Sequence, residues 1–315
     1  MAVGSASLPL VVGIVGATGT GKTALAMGIA RRFGGSIISA DSMQVYRGMD
    51  VGTAKLSLAE RACVPHALID VVPPTHCFSV AEYQTLALEA VQAAIRRGRL
   101  PILVGGTGLY VSAVLDGYEF LEEKPDGALR SELRALPEEM LRQRLKATDP
   151  TAEREIALND SRRLARALEM TIQSGELPSA LKRRRHAVAW RVLRIGLRVD
   201  RSELYRRLDR RVDAMLSAGM EDEVRGLLAD GVNSDSTAMQ GIGYKELGAW
   251  ICGKMGRDEA IELWKRHTRN YAKRQETWFR RDKDVRWIDV SHQTADSTLE
   301  EAVALVDSAS GGDST

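Results

Sequence analysis

The stretch from Gly16 to Thr23, GATGTGKT, matches the phosphate-binding pattern G-x-x-x-x-G-K-[ST] at every fixed position. It follows an apolar run and precedes an amphipathic segment, so we expect a loop between a strand and a helix. Glycines let such a loop aim its N–H groups at phosphate oxygens, and the helix N-terminus adds partial positive charge. The pattern therefore predicts a diphosphate or triphosphate site. Its residues are Gly16, Ala17, Thr18, Gly19, Thr20, Gly21, Lys22 and Thr23.

A phosphate loop of this kind commonly works with Mg²⁺, and Thr23 supplies the hydroxyl that the pattern uses as a magnesium ligand. Enzymes that transfer phosphoryl groups usually also have an acid at the end of a buried strand. The best candidate strand, 100–104, runs instead into the sequence GGT at 105–107. The available carboxylate is Asp41, after the short run SIISA. Spacing alone leaves two roles open for Asp41, as a Mg²⁺ ligand or as a proton acceptor beside the phosphates.

The elements that must position these groups alternate along the first third of the chain. Apolar runs predict three strands, and amphipathic runs between them predict helices. The strands are expected at 10–15, 36–41 and 100–104, and the helices at 22–33, at 79–98 and at 107–115. Strands separated by helices predict a parallel sheet with helices on both faces, which is an α/β fold of the P-loop NTPase type.

Helical patterns dominate from about residue 118 to about residue 280. We therefore expect a helical domain inserted into the α/β core, followed by a helical part that completes the core. The expected boundaries are 8–118 for the first part of the core, 119–200 for the insertion, 201–290 for the C-terminal helical part, and 291–315 for a C-terminal segment with a disordered tail at 308–315.

The charge is concentrated in two stretches, although the net charge is only +2. Residues 182–211 hold 12 Lys and Arg against 3 Asp and Glu, and residues 265–286 hold 9 against 3. Such stretches suggest a polyanion bound on one face. Two solvated helix faces would give the same pattern, and charge alone leaves this alternative open.

The composition, 44% apolar and 27% charged, is typical of a soluble globular protein. No apolar run approaches the roughly 18–20 residues that span a bilayer, so we expect no membrane partner. Three cysteines cannot form a disulfide framework, which favours a reducing, cytoplasmic setting. Nothing in the sequence calls for more than a monomer.

Several further motifs occur in a fixed order with the phosphate loop. They are DSMQVYRGMDVGTAK at 41–55, PHALID at 65–70, FSVAEY at 78–83, LVGGTGLY at 103–110, ND..R..RALE at 159–169, GIGYKE at 241–246 and AKRQ.TW.R at 272–280. With them the chain resembles the tRNA dimethylallyltransferase family, also called IPP transferases, of the bacterial type. The resemblance covers roughly residues 10–290. The DSMQ and LVGGTGLY blocks are specific to this family and its near relatives, whereas the phosphate loop is not.

This resemblance implies a reaction that explains the missing strand-end acid. A dimethylallyl group would pass from dimethylallyl diphosphate to the exocyclic N6 amine of the adenosine on the 3′ side of the anticodon, releasing pyrophosphate. The loop, with Mg²⁺, would then stabilise a departing diphosphate and would not polarise a γ-phosphate. Asp41 would accept the proton of the amine, and Thr107 resembles a second active-site hydroxyl of the family.

The resemblance also implies which residues bind the anticodon stem-loop of tRNA. They are Asp41, Ser42, Met43, Gln44, Arg130, Arg162, Arg163, Leu164, Ala165, Arg166, Gln240, Gly241, Ile242, Gly243, Tyr244 and Lys245. Tyr244 is expected either to stack on a base or to be a half-buried core tyrosine. The adenosine would have to leave the base stack to reach Asp41, which costs a few kcal/mol.

Two other functions fit part of the sequence. A small-molecule kinase would explain the phosphate loop, but it would need a strand-end acid and has no use for the basic stretches. An adenylate isopentenyltransferase, acting on AMP or ATP, would explain the loop and Asp41 but needs no basic helical domain. The motifs favour the tRNA enzyme.

Overall fold

The chain folds into two compact units, which a computed structural model describes for residues 8–120 and 126–311. The first unit comprises Met1–Leu115 and Val188–Thr315, and the second comprises Asp116–Ala187. No helix in the described part is long and apolar enough to cross a membrane.

The first unit is built on a parallel sheet of six strands in the order β3-β2-β4-β1-β5-β6. The strands are β1 Leu10–Gly16, β2 Ser36–Ser39, β3 His66–Ala67, β4 Pro101–Val104, β5 Arg191–Arg198 and β6 Val285–Asp289. Its helices are α1 Lys22–Phe33, α2 Leu58–Ala62, α3 Val80–Arg96, α4 Gly108–Leu115, α10 Arg201–Ser217, α11 Met220–Ala229, α12 Tyr244–Ile251, α13 Arg257–Phe279 and α14 Ala295–Ser310. A short 3₁₀ helix spans Ala238–Gln240. The expected α/β fold with a parallel sheet is confirmed.

The central strand β1 shows why the sheet is covered on both faces. Its sequence LVVGIVG is apolar throughout, and alternate side chains enter two separate cores. Val11 and Val15 lie in one core and Val12 and Ile14 in the other, all fully buried or nearly so. A strand buried on both faces reads as a continuous apolar run. The three strands expected from the sequence are present, each within two residues of its expected ends.

Strands β3, β5 and β6 are not among the three strands that the sequence predicts. Residues 191–198 pair with β1 along its whole length, from Leu10 opposite Arg191 to Gly16 opposite Leu197. The second unit accordingly ends at Ala187, whereas the sequence placed the end of the insertion at residue 200. The arginines of β5 stand at 191, 194 and 198, a spacing of three and four residues that is typical of a helix and not of a strand. The helical part expected at 201–290 likewise contains a strand, β6.

The second unit is a small helical assembly with its own core. Its helices are α5 Gly127–Ala135, α6 Glu138–Thr148, α7 Pro150–Glu155, α8 Ser161–Ser174 and α9 Pro178–Leu181. Leucines 133, 141, 145, 164 and 168 form its centre. Asp126 and Asp160 begin α5 and α8 by accepting hydrogen bonds from backbone N–H groups of the first turn.

The C-terminal segment differs from the expected disordered tail. Helix α14 continues to Ser310, so residues 308–310 are helical. Ala302 and Val306 of this helix are fully buried in the core that covers one face of the sheet. The serine-rich stretch 308–310, which suggested a tail, is the last turn of this packed helix. Residues 312–315 lie outside the described residues.

Candidate active site

The phosphate loop follows β1 and leads directly into α1. Gly16, Gly19 and Gly21 have φ angles of 138°, 82° and 93°, a region that favours glycine. A Cβ on Gly16 would lie 2.5 Å from the carbonyl oxygen of Leu197 on the neighbouring strand. The loop is braced from within, because the Thr20 hydroxyl donates to the carbonyl of Ala17 at 2.8 Å. These residues fold into the cradle that the sequence predicts, and its binding of a diphosphate stays a prediction.

Lys22 stands at the start of α1 and points back into the loop. Its Nζ donates to the carbonyl oxygen of Ala17 at 2.7 Å. Burial lowers the pKa of this ammonium to about 8; the Asp41 carboxylate opposes that change, and Arg211 adds to it. A lysine with so low a pKa gains its full charge when an anion arrives beside it.

Asp41 follows β2 and is held by the turn that it begins. Its Oδ1 accepts hydrogen bonds from the backbone N–H groups of Met43 at 2.8 Å and Gln44 at 3.3 Å. The side chain of Gln44 is bonded inside the protein at both ends: Ser39 donates to its Oε1, and its Nε2 donates to the carbonyl of Thr53. Gln44 therefore fixes the DSMQ turn, and its predicted contact with RNA would compete with these two bonds.

Thr107 lies against the Asp41 segment. Its Oγ1 accepts from the backbone N–H of Ser42 at 3.1 Å, and its own N–H donates to the carbonyl of Ala40 at 3.2 Å. Gly105, directly after β4, also packs closely on this segment, because a Cβ there would lie 2.1 Å from the same Ala40 oxygen. The sequence predicts Asp41 and Thr107 as active-site residues, and the fold places Thr107 against the two neighbours of Asp41 in the chain, Ala40 and Ser42.

Two cavities meet at this point. One of about 320 Å³ opens past Met43, Trp264 and Arg274, and another of about 660 Å³ extends along the phosphate loop to Lys22 and Thr23. Both are lined by Thr18, Asp41, Thr53, Arg211 and Tyr271. Asp41 therefore borders both spaces, the one beside the loop and the one beyond it.

Three residues of this centre were missed by the sequence analysis. Arg211 comes from α10, and Tyr271 and Gln275 come from α13. Burial, together with the Asp41 charge, raises the pKa of Tyr271 to about 12, and its hydroxyl interacts with the side chains of Thr107 and Gln275. Gln275 belongs to the AKRQ.TW.R motif, and this motif was the one feature of the sequence that could have indicated its place in the active site. Arg211 lies in a long basic stretch where nothing distinguished it.

The possible ligands for a metal ion are few. No group of three or more His, Cys, Asp or Glu residues in the described part of the chain could hold one. Thr23 is exposed at the mouth of the loop cavity, and Asp41 lines the same cavity. Mg²⁺ often keeps several waters and binds through one or two protein groups plus substrate phosphates. The residues present therefore fit Mg²⁺ that arrives with a diphosphate.

The predicted stacking of Tyr244 on a base is not supported. Only 1% of this residue is exposed, and its hydroxyl donates to Glu223 at 2.6 Å. The same carboxylate accepts from the backbone N–H groups of residues 50, 51 and 52. Tyr244 is therefore a core tyrosine, which was the alternative expectation, although it is fully and not half buried. Through Glu223 it helps to hold the loop GMDVGTAK at 48–55.

The other residues of the segment QGIGYK, at 240–245, are partly buried and partly exposed. Gln240 and Lys245 are exposed, while Gly241 and Gly243 are buried and Ile242 is half-buried. Gly243 has a φ of 96°, and a Cβ there would lie 2.8 Å from the Trp264 ring. The segment therefore offers Gln240 and Lys245 to a partner, while its glycines allow close packing.

The RNA-contacting residues predicted in the second unit divide in the same way. Arg162, Arg163 and Arg166 are exposed on α8, and Leu164 and Ala165 are buried in the core of that unit. The side chains of Leu164 and Ala165 therefore cannot reach RNA, contrary to their place in the predicted set. Arg130 forms a salt bridge to Glu169, a residue that is 1% exposed, and keeps a partly exposed guanidinium. The RNA contacts of the four arginines stay predictions.

Comparison with known proteins adds an independent line of evidence. The family model described as IPP transferase matches residues 44–282, and the model described as isopentenyl transferase matches residues 9–66. A tRNA dimethylallyltransferase of Desulforudis audaxviator is 48% identical over 90% of this chain and 92% of that protein. One of Symbiobacterium thermophilum is 46% identical over 95% of both.

Solved structures agree. The tRNA isopentenylpyrophosphate transferase of Bacillus halodurans superposes with a TM-score of 0.72 at 40% identity, covering 96% of this chain and 99% of that one. A eukaryotic dimethylallyltransferase described as acting on tRNA gives a TM-score of 0.82 at 28% identity, covering 96% of this chain and 80% of that one. The phosphate loop, the Asp41–Thr107 pair and these likenesses lead to one conclusion: the chain belongs to the IPP transferase family.

Proposed function

We propose that this protein is a tRNA dimethylallyltransferase. It transfers a dimethylallyl group from dimethylallyl diphosphate to the N6 amine of the adenosine 3′-adjacent to the anticodon, and it releases pyrophosphate. The observation that carries the proposal is the position of Asp41. The carboxylate borders the cavity of the phosphate loop and also the cavity beyond it, where an acceptor base can enter.

The phosphate loop supports departure of a diphosphate. Breaking the allylic C–O bond leaves negative charge on pyrophosphate, and preorganised donors aimed at developing charge are an effective way to lower such a barrier. The N–H groups at the start of α1, the Lys22 ammonium and the Arg211 guanidinium surround this cavity. Mg²⁺ held by Thr23 and the phosphates would supply further positive charge.

Asp41 and Thr107 support attack by the amine. An exocyclic adenine amine is a weak nucleophile because its lone pair is delocalised into the ring, and it gains strength as it loses a proton. The Asp41 carboxylate is positioned to accept that proton. Its Oδ1 is oriented by two backbone N–H groups, and the Thr107 hydroxyl lies next to the same turn to hold the base or a phosphate oxygen.

The exposed cations of α13 support an RNA acceptor over a free nucleotide. Arg266, Lys273 and Arg274 are exposed, and Arg274 also lines the smaller cavity. A flipped adenosine could enter that cavity while its flanking phosphates meet these side chains. A free nucleotide would not need the extended positive surface.

Labelled dimethylallyl diphosphate tests this proposal. The protein is incubated with the label, Mg²⁺ and either bulk tRNA or AMP, and the label is counted in each acceptor. We expect label in tRNA alone. Label in AMP would select an adenylate isopentenyltransferase, and absence of label from both would reject prenyl transfer.

A further inference from the structure

Gln275 connects two loops of the active site and has no role in the chemistry described so far. It lies on α13 and is 5% exposed. Its Oε1 accepts from the backbone N–H of Thr18 at 2.8 Å, and its Nε2 donates to the carbonyl oxygen of Gly106 at 2.9 Å. One side-chain amide therefore joins the phosphate loop after β1 to the glycine turn after β4.

The surrounding structure is shaped to this amide. A Cβ on Gly106 would lie 2.0 Å from the Nε2 atom of Gln275, so the approach requires glycine at that position. The hydrogen bond to Gly106 is buried and the one from Thr18 is partly buried, and an N–H or carbonyl left without a partner in such a place is costly. An apolar side chain of the same length would leave two backbone groups unpaired, one in each loop.

The glycine turn passes this connection on to the Asp41 segment. Gly106 precedes Thr107, whose N–H donates to Ala40 and whose Oγ1 accepts from the N–H of Ser42. The loops that follow β1, β4 and β2 are therefore linked in series, and Gln275 makes the first link. Fixing the Gly106 carbonyl also fixes the peptide plane from which Thr107 projects.

We propose that Gln275 is a positioning residue. It fixes the phosphate loop relative to the glycine turn that precedes Thr107, in the arrangement that binds one diphosphate ester. The proposal rests on the function proposed above. It has a second consequence: the Thr18 N–H is bonded to Gln275, so the phosphate donors of the loop begin at Gly19. Gln275 itself takes no part in the transfer step, because its amide oxygen and nitrogen are both occupied by backbone groups of the protein.

Pyrophosphate binding tests this role without RNA or a prenyl donor. Calorimetric titration of Gln275→Met with pyrophosphate and Mg²⁺ should show affinity weaker by about tenfold or more, because both hydrogen bonds that join the two loops are lost. Gln293→Met is a matched control, since the Gln293 amide also donates one hydrogen bond, to Glu301, and accepts one, from Thr298, both on α14. It should bind like the wild type. A folded Gln275→Met protein with wild-type affinity would overturn the proposal.

A second variant separates positioning from simple damage. Gln275→Glu keeps an acceptor for the Thr18 N–H but can donate to Gly106 only when protonated. Its affinity relative to wild type should rise as the pH falls from about 8 to about 5, and at low pH it should exceed that of Gln275→Met. If protonation only removed the repulsion between the introduced carboxylate and pyrophosphate, the affinity of Gln275→Glu at low pH would equal that of Gln275→Met. That result would contradict the proposal. These outcomes do not depend on prenyl transfer, so a failed transfer assay would leave them interpretable.

Discussion

Asp41 is the residue on which the proposed chemistry depends most. Its Oδ1 accepts from two N–H groups of the turn, and an asparagine oxygen could accept the same bonds. Asp41→Asn therefore keeps the turn but removes the proton acceptor. We expect kcat to fall by about 10²–10⁴-fold with tRNA affinity unchanged. Rapid-quench kinetics and a filter-binding assay measure the two quantities.

Asp230→Asn is the control for this change, because Asp230 is exposed at the end of α11. It should retain wild-type kcat. If Asp41→Asn also turned over at nearly the wild-type rate, the role assigned to Asp41 would be wrong.

Lys22 gives the site a pH dependence. Burial lowers its pKa to about 8, so its ammonium is charged below that pH and loses its proton above it. A cation is needed to hold the diphosphate, so affinity for dimethylallyl diphosphate should fall as the pH rises through about 8. Lys22→Arg keeps its charge across this range. The ratio of wild-type to Lys22→Arg affinity, measured from about pH 7 to 10, should therefore fall with pH, and a constant ratio would exclude this account of Lys22.

At the scale of elements, the site is assembled where parallel strands end at one edge of the sheet. The loops after β1, β2 and β4 carry the phosphate loop, Asp41 and Thr107, and all three were expected from the sequence. Their order along the chain and the runs between them were enough, because the carboxyl ends of parallel strands lie together.

The contributions of α10 and α13 could not be predicted in the same way. Gln275 is 257 residues from its partner Thr18, and only the folded chain brings them together. Strand β5 was not predicted for a local reason. Its arginines 191, 194 and 198 have the same spacing as charged residues on the basic helices around it. The pattern of apolar and charged residues predicts the secondary structure of a segment, but it does not predict which distant segment packs against it.

Helix α11 positions the GMDVGTAK loop through Glu223, and Tyr244 completes that contact. Tyr244→Phe removes one of the four donors to the carboxylate and should lower the free energy of unfolding by about 1 kcal/mol. Because Tyr244 is buried, RNA affinity should not change. Urea unfolding and RNA titration measure the two, with the half-buried Tyr205→Phe as a control. A large loss of RNA affinity with unchanged stability would contradict this account, because it would mean that the Tyr244 hydroxyl contacts RNA.

At the scale of the whole molecule, concentrated positive charge and near-zero net charge occur together. Helix α13 carries its functional side chains on two sides. Tyr271 and Gln275 reach the active site, whereas the cations Arg266, Lys273 and Arg274 are exposed. The arrangement favours an RNA-binding surface over two merely solvated faces, because Arg274 lines the cavity that Asp41 also lines.

Salt dependence tests this RNA-binding surface. RNA affinity should fall steeply with salt, and Lys273→Gln should reduce the slope of log K against log [salt] by about 0.7–0.9 by removing one phosphate contact. Lys254→Gln, an exposed lysine outside the basic stretches, should leave the slope unchanged. Equal slopes for all three proteins would favour the solvated-face interpretation.

The central claim is that the phosphate loop grips a leaving group and does not supply energy from a nucleotide. It is tested most directly by counting products in one reaction that contains tRNA, labelled dimethylallyl diphosphate, Mg²⁺ and ATP. The account predicts one pyrophosphate released for each prenyl group found on N6 of adenosine in the tRNA, with ATP left intact. Prenylation that consumes ATP, or pyrophosphate release without label in the tRNA, would contradict it.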